Sequence, residues 1–149
     1  MRYHSKTVAT WLAVLAGCFG AHRFYLHGKG DLWGWLHPWP TLLGLVGVLR
    51  MHALGQDDHV AWLLIPLLGL MISQAMLAAI VIGLTPDERW QARFAGDLSP
   101  HRPSGWAAVL GVIAALLVGG AVLMGTLAFG GQMFFEWQAQ QAAVALAAR

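Results

Sequence analysis

A chain of 149 residues that is 58% hydrophobic and only 11% charged falls outside the range of ordinary soluble domains. Its net charge of +2, carried by scattered Lys and Arg, excludes a nucleic-acid groove and a polybasic lipid patch, and a single cysteine, Cys18, excludes an internal disulfide and a multi-cysteine zinc site. The class that remains is a protein solvated by lipid, which a mean hydropathy of +0.59 and eight tryptophans both suit.

Four apolar stretches predict an all-α, polytopic membrane helix bundle of four transmembrane helices. The first, residues 8–21, is short of the roughly 20 residues that cross a hydrocarbon core. It becomes a span only by recruiting Thr7 and residues 22–26, with Arg23 snorkelling towards a headgroup layer. The second, residues 32–49, holds His37-Pro38-Trp39-Pro40. Each proline removes a backbone donor and restricts the residue before it, so a short piece with Trp33 and Trp35, a break, and a helix running to about residue 54 are expected. The third, residues 60–84, carries no formal charge; Pro66 predicts a kink, and Ser73 and Gln74 are its polar side chains. In the fourth, residues 106–129, Gly111, Ala115 and Gly119 recur every four residues and form a small-residue packing face, towards another helix of the chain or a second copy.

Between the third and fourth spans, Thr85-Pro86-Asp87-Glu88 has the form of a helix start, with a Thr cap, a first-turn proline and a Glu three residues on. A short amphipathic helix over 86–95 follows, with Trp90 and Phe94 on one face and Arg89 and Arg93 also four apart, ahead of a Pro-containing loop at 99–104. Beyond Gly130-Gly131, residues 132–149 predict a C-terminal interfacial helix. The chain thus divides into a helix pair at 5–54, a second pair at 60–131 and that tail. In a four-span layout Arg2, Lys6, Arg50 and Arg149 fall on one side and Arg23, Lys29, Arg89, Arg93 and Arg102 on the other, too even to orient the chain.

The most distinctive segment is residues 5–30, where Gly17 and Gly20 lead into Ala21-His22-Arg23-Phe24-Tyr25. Small residues permit close helix approach, Arg23 suits a phosphate or a helix end, and Phe24 and Tyr25 suit an interface. The segment resembles the TM2 domain family, small membrane modules of two helices joined by a short turn. The resemblance implies that helix pair with a cytosolic turn, in a multi-pass protein of a bacterial inner membrane, and makes His22, Arg23, Phe24, Tyr25, Gly17 and Gly20 contacts to lipid or partner. Members usually carry an acid in the second helix, and none stands between Asp31 and Asp57 here.

Function is then expected to be non-enzymatic: an accessory or scaffold component of a membrane assembly, in contact with the bilayer and with a membrane protein partner or a second copy. No nucleophile elbow, phosphate loop or dinucleotide fingerprint occurs, and no catalytic residue, metal site or cofactor is expected. Asp57-Asp58-His59 reads as a solvated loop, and the seven histidines as interface or solvated groups. Three alternatives stand beside this one: a small transporter or channel subunit with Gln74 on a polar path, a haem protein using His22 and His52, and a lipoprotein cleaved before Cys18.

Overall fold

The computed structural model describes residues 4–94 and 104–147. Among them every regular element is helical: α1 (Lys6–Ala16), a 3-10 turn (Gly17–Phe19), α2 (Ala21–His27), α3 (Leu32–Leu36), α4 (Pro38–Leu54), α5 (His59–Leu84), α6 (Asp87–Phe94) and α7 (Trp106–Ala147). The expected all-α class is therefore what the chain adopts. By length and composition, α5 and α7 are apolar enough to cross a membrane.

α5, about 39 Å long at 1.5 Å per residue, is the axis on which the other long helices pack. All three run antiparallel to it, and glycines set how closely they approach. A Cβ added at Gly44 or Gly47 of α4 would fall 2.4 Å from Leu68 N or 2.6 Å from Leu64 Cβ. On the α7 side, one at Gly119 would lie 2.7 Å from Met76 Cβ, and one at Gly83 of α5 would lie 2.3 Å from Val112 Cγ2. α1 lies along the C-terminal half of α5: Lys6 Nζ donates to Thr85 O at 2.9 Å, and a Cβ on Gly17 would come 2.8 Å from Ala75 Cβ. The buried core is accordingly thin and made of small groups, with Ala9, Ala13, Ala75, Ala79 and Ala115 fully enclosed around Met76 and Ile82.

The first apolar stretch departs from expectation. It does not continue to residue 26; the helix tightens at Gly17–Phe19, turns at Gly20 in the left-handed region (φ +78°), and α2 doubles back along α1. Ser5 N donates to Tyr25 Oη at 2.9 Å, so the end of α2 returns to the level at which α1 began. The turn demands glycine twice over: the conformation is one that side chains avoid, and a Cβ at Gly20 would lie 2.5 Å from Gly34 O.

After the Gly28–Asp31 turn, α3 and α4 descend past the hairpin. The break falls at His37, immediately before Pro38 at the start of α4, as the prolines predicted, and α4 ends at Leu54. Pro66 lies within α5 without ending it. The α6 helix forms, but Thr85 does not cap it: its hydroxyl donates back to Val81 O at 2.7 Å, closing α5 instead. α7 runs through Gly130 and Gly131 without a break, so the tail from 132 continues the fourth helix rather than forming a separate one. The two half-buried glycines each cost about 1 kcal/mol of helix propensity, too little to stop a helix with no proline. Arg2, Arg149 and residues 95–103, with Arg102 among them, lie outside the described residues, and so does most of the expected Pro-containing loop at 99–104.

Candidate functional site

The elements gather at two ends. At one end stand the start of α1, the close of α2, the Lys29 turn, the end of α5, α6 and the start of α7. Lys6 Nζ meets Asp87 at 2.6 Å, Trp90 Nε1 donates to His4 O at 2.8 Å, and Trp11 Nε1 donates to Ala107 O at 2.9 Å. Asp87 also accepts from the backbone N of Ser104 at 2.9 Å and from its hydroxyl. Lys6 and Ser104 together pull the Asp87 carboxyl down to about 2. At the other end the α4–α5 turn is closed by Arg50, whose Nε lies 2.8 Å from Asp58, while Asp58 accepts from Val60 N and caps α5.

The α1–α2 hairpin, which carries the most distinctive run of sequence, is held from three directions. Arg23 turns to Asp31 in a paired contact, Nε to Oδ2 at 2.6 Å and Nη2 to Oδ1 at 3.3 Å. Its partner is thus the acid just before the second apolar stretch rather than one within it. Arg23 holds the Asp31 carboxyl below its ordinary value, as Arg50 does for Asp58. Phe24 packs on the Gly34 backbone and meets Trp35 edge to face with centroids 5.3 Å apart. Tyr25 stands against His4 at 4.9 Å. Thr41 Oγ1 of α4 lies 2.7 Å from Cys18 O and 2.9 Å from His37 O, tying the inner tip of the hairpin to the start of α4.

His22, 4% exposed, sits at that tip and meets His37, 7% exposed, with ring centroids 5.9 Å apart and planes at 76°. The pairing expected to be worth testing, His22 with His52, is not made: His52 is exposed near the far end of α4. His37 was legible only as a residue at a helix break. Its partner could not be found without knowing that α2 folds back, which brings rings fifteen positions apart in sequence against one another.

The remaining expected sites are put to structural use. Gly111 and Ala115 face α1 and α5, with Thr10 Cγ2 2.9 Å from a Cβ placed on Gly111, and Gly119 faces Met76. This small-residue face is filled inside the chain. Gly17 and Gly20 are likewise occupied, by Ala75 and Gly34. Gln74 is exposed on the outer side of α5, beside a groove of about 390 Å³ between α5 and α7. The groove is lined mostly by aliphatic side chains, and its other polar residue, Ser73, donates to Gly69 O at 2.8 Å. Gln74 is therefore not continued into a polar path. Asp57 and His59 are exposed, and Asp58 faces Arg50, so the three form no catalytic cluster. Compared with known proteins, the chain matches no family model, no curated sequence and no solved structure.

Proposed function

We propose that the chain is a non-enzymatic, multi-pass membrane protein of the TM2-like kind, an accessory or scaffold component of a membrane assembly. The observation that carries this is the surface of the two longest helices. Only 22% of the most apolar stretch of α5, and the same share of α7, is buried within the chain, and outward residues such as Leu63 and Leu117 are 76% and 71% exposed. The core helix of a soluble protein is mostly covered; a helix so apolar and so bare is stable in lipid. A non-enzymatic role is supported by the use of the carboxylates: Asp31, Asp58 and Asp87 are each tied to a cation that fastens one element to another.

The layout we favour has three crossings and a half-depth hairpin in place of four spans. α1 and α2 enter and leave on one side, reaching only as deep as Ala75 midway along α5, while residues 32–54, α5 and α7 each cross. Since the small-residue faces hold the chain's own helices, a partner would meet the outward faces of α5 and α7. Alkaline carbonate extraction tests the membrane reading: the protein should stay in the membrane pellet, and release into the supernatant would overturn it. Native mass spectrometry from mild detergent tests the scaffold role, with multiples of 16.1 kDa or a co-purified membrane protein expected and a bare monomer counting against it.

A further inference from the structure

Among the described residues, three buried ring nitrogens lack a hydrogen-bond partner: Nδ1 of His4, Nδ1 of His22 and Nε2 of His37. The last two belong to rings that meet at the hairpin tip. The second nitrogen of His37, Nδ1, lies 2.5 Å from the carbonyl oxygen of Trp33. A carbonyl can only accept, so Nδ1 carries the proton and Nε2 presents a bare lone pair. An imidazole that donates one N–H to a backbone carbonyl and keeps the other nitrogen free is oriented as metal-ligating histidines are.

An unpaired nitrogen in so enclosed a place costs about 1–3 kcal/mol, and two on adjoining rings call for a guest that both can share. Imidazole suits zinc, copper, iron and nickel. Zinc takes four donors, and among the described residues no group of three or more His, Cys, Asp and Glu is placed to hold a metal. Copper(I) is closed-shell, satisfied by two nitrogens, and brings a single charge to a pocket where charge is expensive. The nearby Arg23 is paired with Asp31, which offsets part of its charge.

We propose that His22 and His37 form a two-nitrogen site for a copper(I) ion, placed where the tip of the hairpin meets the start of α4. The ion would join α2 to the break before α4, so binding would lock the hairpin against the long helices.

The test uses the full chain in detergent, without oxygen and with a reductant, titrated with copper(I) against a chromophoric chelator. One copper per chain should be retained. His22→Ala or His37→Ala should each weaken binding by at least about tenfold, the lower end of what even outer-shell losses do to metal sites. His52→Ala, far from the site, should bind as the wild type does. X-ray absorption of the copper-loaded wild type should show two nitrogen donors, and it decides the matter by itself if either histidine variant fails to fold. Failure to hold copper against the chelator, wild-type affinity in either histidine variant, or sulfur in the coordination shell would overturn the assignment.

Discussion

At Gly44 the backbones of α4 and α5 approach so closely that a methyl group would strike Leu68 N at 2.4 Å. The obstacle is main chain and cannot swing aside. Gly44→Ala should therefore destabilise the fold by about 1–3 kcal/mol, the scale of overpacking in a tight interior. Gly120→Ala is the control: a Cβ there meets nothing within 4 Å, and the substitution should be neutral or gain up to about 1 kcal/mol of helix propensity. Unfolding of both variants by heat or denaturing detergent checks the pair. The small-residue face of α7 was legible in the sequence because its members recur at four-residue spacing. Gly44 and Gly47, three apart in a helix with two prolines at its head, carried no such period and emerged only with the fold. The partner of Arg23 is hidden in the sequence for a related reason, since Asp31 stands at the edge of the apolar stretch and comes to Arg23 only through the turn at Gly28–Asp31.

Among the elements, α6 shows how little hydrophobic surface is needed to seat a short helix when its polar groups are placed well. Trp90 is 4% exposed and its indole N–H reaches across to His4 O. Trp90→Ala should release α6, so that trypsin cleaves at Arg89 and Arg93 markedly faster while the long helices keep their circular dichroism. The Lys6–Asp87 contact adds a pH dependence. The Asp87 carboxyl is depressed to about 2, below the roughly 3.9 of an unfolded aspartate. Its contribution is therefore fully present above pH 4 and is lost as pH falls through about 2. Asp87→Asn should lower stability at neutral pH by about 1 kcal/mol, a charge-assisted hydrogen bond discounted for partial exposure to solvent, and should flatten the acid limb between pH 4 and pH 2. Thermal midpoints measured across that window would show it. The existence of α6 was readable from its polar start and its Trp and Phe spacing. The α1–α2 turn was not, because a glycine in the left-handed conformation looks, in sequence, the same as a glycine that lets two helices touch.

For the whole molecule, folding α2 back on α1 changes the charge balance between the two ends. Lys6, Arg23, Lys29, Arg89 and Arg93 then lie at one end among the described residues, and Arg50 at the other. A near tie in the four-span layout becomes a clear excess, and on the three-crossing layout that we propose the positive-inside rule would put the hairpin end in the cytoplasm. Helix α7 fits the same frame. From Trp106, beside the hairpin end, to the Phe134, Phe135 and Trp137 group is about 46 Å, close to the full thickness of a bilayer with its headgroups, and the helix continues for roughly ten residues beyond. Both the three-crossing and the four-span layouts put Lys29 and Arg93 inside and Gln56 outside, so those positions cannot separate them. The N-terminus can. In a Cys18→Ala background, a membrane-impermeant maleimide added to intact cells should label Gln56→Cys but leave Ser5→Cys and Lys29→Cys unreacted until the cells are permeabilised. Labelling of Ser5→Cys from outside, with Lys29→Cys still protected, would mean that the first apolar stretch crosses the bilayer after all, and the hairpin would have to be abandoned.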